Sequence, residues 1–451
     1  MSSEVVQPTI FALSSGHGRA GVAVIRISGP AAGAVLDTMA APRPKPRFAA
    51  LRRVVMPGAD ELIDYGLALW FPGPRSETGE DMAELQVHGG RAVIQAVLAG
   101  LGRIEGCRLA EPGEFARRAF ENGKLDLTSV EGLADLIDAE TSAQRRQALR
   151  QAEGALSRLY LGWRQRLLAT TALMEAAIDF SDEADVAADS VRKARAEAEA
   201  LHAEIGRHLD DGHRGEVIRE GFRIVLAGPP NVGKSSLLNT LAKRDVAIVS
   251  EEAGTTRDVV EVKLDIEGMP LVISDTAGIR ESAGKVEQEG IRRALGRARE
   301  ADLVLWMVDA SNLDAPAHPE IEVRADKMLV VVNKFDLLDS QVLQPLPEGA
   351  IAVSALTGLG LDRLTLRLAG YARGRIGTDS AELPALTQAR HRQQLERCRA
   401  ALASFLGSPI EEFELRAEDL RRASLALGRI TGSVHPEEVL GEIFGRFCIG
   451  K

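Results

Sequence analysis

The segment Gly228–Ser236, GPPNVGKSS, limits the possible fold of this chain more narrowly than any other stretch. It fits G-x-x-x-x-G-K-[ST], follows the apolar run FRIVLA and precedes the helix-like run SLLNTLAKR. In such a strand–loop–helix, glycines let backbone N–H groups turn toward phosphate, and the helix N-terminus adds its dipole. We expect Lys234 to reach the β- and γ-phosphates of a nucleotide and Ser235 to bind Mg²⁺. The remaining predicted contacts of this loop are Asn231, Val232, Gly233 and Ser236.

Three later segments indicate that the base is guanine. SDTAG ends a strand at Asp275, where a carboxylate can act on Mg²⁺ from the second coordination shell. In NKFD, Asp336 can accept hydrogen bonds from N1–H and the 2-amino group of guanine, whereas adenine would leave it underpaired. SAL ends the next strand and can offer a backbone N–H to guanine O6. The predicted contacts are Asp275, Thr276, Ala277, Gly278, Asn333, Lys334, Asp336, Ser354, Ala355 and Leu356.

GTTRD, residues 254–258, lies between these motifs, at the place of a switch loop. We assign Thr256 as a Mg²⁺ ligand, with Thr255 beside it. Many regulatory GTPases orient the attacking water with a Gln directly after D-x-x-G, but here that residue is Ile279, which cannot do so. Either hydrolysis is slow, or another group orients the water. The candidates left open by the residues alone are Arg280, Glu281, Glu287 and Glu289.

The chain is predicted to form several domains, because 451 residues are too many for one core. Changes in composition along the chain indicate where these domains lie. Short β-like runs with Gly/Pro turns come first, and a proline-free, Ala/Leu-rich stretch with near-helical periodicity follows. Apolar strands then alternate with helical stretches, which indicates a parallel sheet. The predicted domains are an N-terminal α+β domain (1–120), an all-α helical domain in two parts (121–217 and 379–451), and an α/β domain with a mostly parallel sheet inserted between them (218–378).

The cysteines and the absence of long apolar runs suggest a reducing, cytoplasmic location. Cys107, Cys398 and Cys448 are far apart and have neither metal-binding nor disulfide-framework spacing. We expect no signal peptide and no membrane span. Cys448, four residues from the end, leaves three alternatives: a lipid attachment site, packing with Phe447 and Ile449 on a last helix, or a reactive thiol. A prenylation box is disfavoured because Gly450–Lys451 follow where an aliphatic residue is required.

Seven segments, in order, resemble those of the MnmE (TrmE) family of tRNA modification GTPases. They are GRAGVAVIRISG, TGEDMAELQVHGG, EPGEFARRAFENGKLDLTSVEGLADLIDA, AGPPNVGKSSLLN, GTTRD, DTAGIRE and GEIFGRFCIGK. The resemblance, from about Thr9 to Lys451, implies a K⁺-dependent GTPase that dimerises through its N-terminal domain. It further implies a heterotetramer with a FAD-containing flavoprotein of the MnmG type. Together they would add a carboxymethylaminomethyl or aminomethyl group to C5 of the wobble uridine of certain tRNAs, from a folate such as 5-formyltetrahydrofolate.

The resemblance also implies roles for residues near the γ-phosphate. Asn231 matches the family's side-chain K⁺ ligand, and Ser250, Glu252 and Thr255 fall where its K⁺-binding loop offers oxygens. The family often has Thr and an apolar residue where Ser250 and Glu252 stand. Glu287 matches the family's water-orienting glutamate, which selects it among the four candidates.

For folate, the matching residues are Arg26, Glu84, Lys124 and Lys451. A carboxylate suits the N–H donors of the pterin, and cations suit the glutamyl carboxylates. The resemblance places Cys448 near the folate as proton relay, nucleophile or neither. Glu77 stands where the family usually carries an aromatic residue, so the loop SETGED departs from the pattern.

An acidic chain of net charge −10 that acts on tRNA needs local positive surface. Arg clusters occur at 144–150, 163–166, 389–399 and 420–423, and each is also typical of a solvated helix face. We expect at least one to contact tRNA and select Arg145, Arg146 and Arg150 for testing. Two other functions stay open: a GTP-switched assembly factor without its own chemistry, for example for ribosomes, and a folate enzyme with a regulatory GTPase domain.

Overall fold

The computed structural model describes residues 7–16, 18–179, 184–244, 248, 261–275, 301–312, 325–338, 346–377, 384–407, 413–434 and 437–450. These form two compact units. The first comprises residues up to 134, 152–164 and from 427 onward, and the second comprises 135–151 and 165–426. Over the described ranges, every helix is either too short or too polar to cross a membrane.

A six-stranded mixed sheet forms the centre of the first unit. Its strands are β1 (Thr9–Leu13), β2 (Ala20–Ser28), β3 (Ala50–Val55), β4 (Leu62–Phe71), β5 (Met82–Gly89) and β6 (Cys107–Leu109). They lie in the order β3-β4-β5-β2-β1-β6, and β6 alone runs parallel to its neighbour. The helices α1 (Ala32–Met39) and α2 (Arg91–Leu101) contribute Leu36 and Leu101 to the core on one face.

Alternation along the strands separates this core from the opposite face of the sheet. Ile25, Trp70 and Leu85 point into the core, as the two-residue period of a strand requires. Arg26 and Glu84, which are direct partners across β2 and β5, point to the other face. The two residues predicted to bind folate therefore lie side by side on the face away from α1 and α2.

In the second unit, the predicted α/β sheet with mostly parallel strands is confirmed. Its strands are β7 (Phe222–Ala227), β8 (Glu261–Ile266), β9 (Met269–Asp275), β10 (Leu303–Asp309), β11 (Met328–Asn333) and β12 (Ile351–Ala352). The order is β12-β11-β10-β7-β9-β8, with β8 antiparallel to β9. The helices α9 (Lys234–Ala242) and α10 (Leu361–Ile376) cover it with buried leucines.

The proline-free stretch is helical, as its period predicted. Its helices are α3 (Glu114–Glu121), α4 (Leu127–Ile137), α5 (Ser142–Ala152), α6 (Ala155–Asp179), α7 (Ala184–Leu209) and α8 (Arg214–Glu220). The later helices are α11 (Ala389–Gly407), α12 (Phe413–Thr431) and α13 (Glu437–Phe444). Within the second unit α7 and α11 pack together.

The start of α5 contacts the hairpin β8–β9. The Ala143 N–H donates to the Gly268 carbonyl over 3.0 Å. Lys263 Nζ on β8 lies 3.0 Å from the Glu140 carboxylate. Gly268 has φ +81°, and a β-carbon there would lie 2.3 Å from Ser142 Oγ. A helical segment thus holds the hairpin that leads into Asp275.

Candidate functional site

The phosphate loop leaves β7 through two residues with left-handed backbone. Asn231 has φ 62° and Gly233 has φ 96°. A β-carbon on Gly233 would lie 2.3 Å from Asn333 Nδ2, so the loop packs directly against the end of β11. The helix α9 then begins at Lys234, which directs its N-terminus to the carboxyl end of the sheet. Ligands of open α/β sheets bind at this edge.

Lys234 and Ser235 connect this loop to the end of β9. Lys234 is buried, and its Nζ donates to the carbonyls of Gly228 and Pro229, both over 2.9 Å. Burial lowers the pKa of Lys234, and the charge of Asp275 offsets this only in part. Ser235 Oγ donates to Asp275 Oδ2 over 2.7 Å. A hydroxyl held against a carboxylate fits Mg²⁺, which takes few protein oxygens and keeps several waters.

Asn333 connects the phosphate loop to the SAL segment, which is predicted to contact the guanine base. Its Nδ2 donates to the Val232 carbonyl over 2.8 Å, and its Oδ1 accepts from the Ala355 N–H over 3.0 Å. The Ser354 N–H donates to the Leu359 carbonyl. The N–H groups of Ser354 and Ala355 therefore both donate within the protein. The contact with guanine O6 stays a prediction, and of the three SAL residues it falls to Leu356, which is 87% exposed.

The predicted guanine-recognising carboxylate lies in an exposed turn beside this segment. Asp336 is exposed within the short 3₁₀ helix Phe335–Leu337. The preceding Lys334 has φ 61°, and its Nζ lies 2.7 Å from Asp309 Oδ2. Burial raises the pKa of Asp309, but hydrogen bonds from Lys334 and Ser311 outweigh it and leave this pKa below its usual range. The ion pair with Lys334, which the sequence did not suggest, fixes the turn that carries Asp336.

Several predicted site residues lie outside the described residues. They are Ser250, Glu252, Thr255, Thr256, Thr276, Ala277, Gly278, Glu287 and Lys451, together with the alternatives Arg280, Glu281 and Glu289. Of the four predicted K⁺ ligands, Asn231 is the one that the structure describes, and it is exposed at the phosphate loop. The roles of the others stay predictions.

The structure brings Arg26 and Glu84 together and adds Glu77. Arg26 Nε lies 3.6 Å from Glu84 Oε1, and Nη1 donates to Glu77 Oε1 over 3.0 Å. The guanidinium carbon is 5.9 Å from the centre of the Phe115 ring. Arg26 Nε is buried and makes no hydrogen bond to the described residues. A buried donor beside a carboxylate and a ring fits a flat, polar ligand such as a pterin.

Lys124 approaches the loop between β4 and β5, which also carries Glu77. Its exposed side chain passes Gly79, where an added β-carbon would lie 3.2 Å from Lys124 Cε. Asn122 Nδ2 donates to the Thr78 carbonyl over 2.8 Å. Thr78 Oγ1 and Ser28 Oγ are 2.7 Å apart, which ties the loop to the end of β2. The loop between β4 and β5 therefore links the predicted folate residues.

A buried ion-pair network, which the sequence motifs did not indicate, lies behind this loop. Arg118 is 2% exposed and contacts Glu80 at 3.1 Å and Glu114 at 2.9 Å. Burial raises the pKa of Glu114, but hydrogen bonds from Arg108, the Glu111 N–H and Arg118 outweigh it, so this pKa lies below its ordinary value. An Arg on the apolar side of α3, next to Phe115 and Ala119 in the helical period, was the available signal.

The end of the chain contacts the β1–β2 pair. Ser14 Oγ donates to the Gly450 carbonyl over 2.8 Å, and Ala12 lies opposite Arg26 on the paired strand. Cys448 is exposed, as a reactive thiol must be. Phe447 is buried against Leu440 and Phe444, as the packing alternative requires. The rest of that alternative is wrong, because α13 ends at Phe444, before both residues, and Ile449 is 53% exposed.

The Arg clusters differ in exposure, and two of them contain arginines that pair with carboxylates. Arg166 contacts Glu197 and Glu204 at 2.5 and 2.7 Å. Arg392 contacts Asp211 and Glu216, each at 3.0 Å. On α5, Arg145, Arg146 and Arg150 are exposed. Of the clusters proposed for tRNA, the one on α5 is therefore better exposed than those around Arg166 and Arg392.

Comparison with known proteins agrees with this geometry. Residues 9–124 match the family described as "GTP-binding protein TrmE N-terminus", and residues 127–448 match "MnmE helical domain". The chain is 54% identical to the tRNA modification GTPase MnmE of Parvibaculum lavamentivorans, over 98% of this chain and all of that protein. It is 52% identical to the protein of that name from Beijerinckia indica, over 100% and 98% of the two chains. A human mitochondrial relative, "5-taurinomethyluridine-[tRNA] synthase subunit GTPB3", is 48% identical over 98% and 93%.

Proposed function

The chain belongs to the MnmE family of tRNA modification GTPases, and from this membership we propose its chemistry in detail. It hydrolyses GTP in a K⁺-dependent manner and, with a FAD-containing flavoprotein, modifies C5 of the wobble uridine of certain tRNAs. A folate such as 5-formyltetrahydrofolate is the one-carbon donor. The observation that carries the GTPase part is the 2.7 Å hydrogen bond between Ser235 and Asp275 beside a buried Lys234.

Each residue of the nucleotide site has its own proposed role in GTP hydrolysis. Lys234 exchanges the carbonyls of Gly228 and Pro229 for the β- and γ-phosphates, and its burial strengthens that contact. Ser235 and Thr256 would hold Mg²⁺, with Asp275 acting from the second coordination shell, and the metal would neutralise phosphate charge. Glu287 would orient the attacking water, and K⁺ held at Asn231 would supply the positive charge that an arginine finger supplies in other GTPases.

An exposed apolar surface supports a homodimer through the N-terminal domain. Leu51 and Leu67 are opposite each other on β3 and β4, and Tyr65 lies on the same face. Their exposed fractions are 65%, 38% and 53%. Contiguous apolar surface of this kind marks protein–protein contacts. The face continues across the sheet to Glu84 and Arg26, so a dimer here would lie beside the folate residues.

Nucleoside analysis tests the proposal most directly. Bulk tRNA from cells lacking the protein should contain unmodified wobble uridine, and the wild-type gene should restore the modification. Purified protein should hydrolyse GTP much more slowly when Na⁺ replaces K⁺, and equal rates would remove K⁺ from the proposal. Unchanged wobble nucleosides, together with no binding of 5-formyltetrahydrofolate, would favour a GTP-switched assembly factor.

A further inference from the structure

The segment at 42–53, PRPKPRFAALRR, is strongly basic. It carries five cations and no carboxylate in a chain of net charge −10. Most of its length precedes β3, the strand at the edge of the first unit's sheet. We call residues 43–48 the basic loop.

The basic loop is fixed in place rather than loosely attached. The Arg47 N–H donates to the Trp70 carbonyl over 2.8 Å. The Arg43 guanidinium lies 5.0 Å from the centre of the Trp70 ring and pairs with Asp37. Pro44 between them is buried. These contacts leave the exposed side chains of Lys45 and Phe48 for a ligand.

Three cations and one ring make up the surface that the loop presents. Lys45 and Arg75 are exposed, and neither forms an ion pair with any residue in the described ranges. The Arg47 guanidinium lies 5.9 Å from the Phe71 ring centre and donates to the Arg75 carbonyl, which holds the two arginines together. Phe48 is 67% exposed. Large exposed rings next to cations are typical of surfaces that bind single-stranded nucleic acid.

This surface lies next to the predicted folate residues. Arg75 precedes Glu77 by two residues, and Glu77 accepts a hydrogen bond from Arg26. The loop's anchor, Trp70, pairs with Ala83, the neighbour of Glu84 on β5. A ligand on the basic loop would therefore lie at the same end of the sheet as the site proposed for the one-carbon donor.

We propose that Lys45, Arg47, Phe48 and Arg75 form the docking surface for the anticodon loop of tRNA, an inference that rests on the proposed function. The cations contact phosphates, and an unpaired base stacks on Phe48. The stacked base leaves its neighbour unstacked, which lets a wobble uridine reach the adjacent folate residues. Two copies of the basic loop do not pair with each other, because this would bring like charges together. The homodimer proposed above uses the neighbouring apolar face at Leu51, Leu67 and Tyr65.

Binding of a labelled anticodon stem-loop RNA to the full-length protein tests the surface. For K45E/R75E we expect affinity to fall at least about tenfold at ~0.1 M salt. The slope of log affinity against log salt should fall by about two, one for each phosphate that the variant no longer neutralises. For F48A we expect a loss of about tenfold with an unchanged slope, because stacking releases no counterions. Phe48 is exposed, so its truncation leaves the core intact.

Two further variants serve as a charge control and as a test of the alternative RNA site on α5. R192E/K193E, on exposed residues of α7 that pair with Asp189, makes the same charge change and should leave affinity unchanged. R145E/R150E tests the cluster on α5 in the same assay. The thermal unfolding curve of K45E/R75E, followed by circular dichroism, should match that of the wild type, which shows that the first unit is folded.

Three outcomes would overturn the inference. Wild-type affinity and slope in K45E/R75E would do so, and so would an equal loss in R192E/K193E, since a general charge effect would then suffice. A loss confined to R145E/R150E would assign the RNA to α5. These results leave the proposed function standing, whereas a wild-type protein that binds no tRNA stem-loop would overturn both.

Discussion

Gly233 and Asn333 fit so closely that a β-carbon on Gly233 would lie 2.3 Å from Asn333 Nδ2. The same Asn333 also bonds Val232 and Ala355. One side chain therefore sets the distance between the loop for the phosphates and the segment for the base. A change at Gly233 affects both ends of the nucleotide at once.

We predict that Gly233→Ala lowers GTP affinity by about 100-fold, through positive φ and displacement of Asn333. Titration with a fluorescent GTP analogue measures this. Gly370→Ala is the matched control, since a β-carbon there meets nothing within 4 Å inside α10, and we expect wild-type affinity. A tolerated Gly233→Ala would mean that Asn333 moves aside without cost.

Base selection should depend on one exposed carboxylate. Asp336→Asn exchanges an acceptor for an amide that cannot accept both guanine N–H donors, so GTP should weaken by at least about 100-fold and xanthosine triphosphate should be preferred. Competition between the two nucleotides in the hydrolysis assay gives the ratio. An unchanged preference for guanine would contradict the assignment of Asp336.

Glu77 should compete with an anionic ligand for Arg26. Because Glu77 is 48% exposed, its 3.0 Å ion pair is worth at most about 1 kcal/mol. Glu77→Gln should therefore raise affinity for 5-formyltetrahydrofolate by up to about fivefold. Glu84→Gln, in contrast, should weaken binding, because Glu84 is proposed to accept from the pterin. Calorimetric titration separates the two, and weaker binding by Glu77→Gln would show that Glu77 itself contacts the ligand.

Glu114 should make the first unit sensitive to acid. Its pKa is below the ordinary 4.5, so its stabilising contribution is present above that value and is lost as pH falls through the folded-state pKa. Glu114→Gln should lower the free energy of unfolding by about 3 kcal/mol at pH 7 and by progressively less below pH ~4.5. Urea denaturation at a series of pH values measures this. Glu121→Gln removes an exposed partner of Arg117 and should change stability by under about 0.5 kcal/mol at any pH.

The cysteines should differ sharply in reactivity. Cys448 is exposed and should react with a disulfide reagent in the native protein. Cys398 is fully buried, which raises its pKa to about 12, and should react only after unfolding. Cys448→Ser should remove the fast phase, keep GTP hydrolysis and lose wobble modification. Full modification by this variant would limit Cys448 to a structural role.

The α/β sheet could be predicted because its signals are local. Each parallel strand is a short apolar run, and the predicted phosphate-loop and base-contacting residues stand at or after the ends of such strands. The predicted switch-loop residues Ser250, Thr255 and Thr256 are the exception, since they lie between the phosphate loop and β8. The antiparallel β8 has a local cause too, since Glu267 and Gly268 both have positive φ, as a tight hairpin turn requires. That turn reads EG in the sequence, without the Asn or Asp that usually precedes such a glycine.

The contacts behind the folate residues could not be predicted because their partners are far apart in sequence. Arg118 and Glu80 are 38 residues apart, and Arg26 and Glu77 are 51 apart. Apart from the position of Arg118 on the apolar side of α3, nothing local distinguishes these charges from solvated ones. The family resemblance placed Arg26, Glu84 and Lys124 at a folate site, but the engagement of Arg26 by Glu77 emerges only when β2 and the β4–β5 loop are folded together.

The fit of Gly268 against Ser142 limits which GTPase sheets could be transplanted into this protein. A chimera would need a β8–β9 turn of the same length with glycine at its second position, or the Ala143–Gly268 hydrogen bond would be lost. It would also need a cation opposite Glu140. A foreign sheet that lacks these features would have to be transplanted together with the segment at 140–143 that contacts its hairpin.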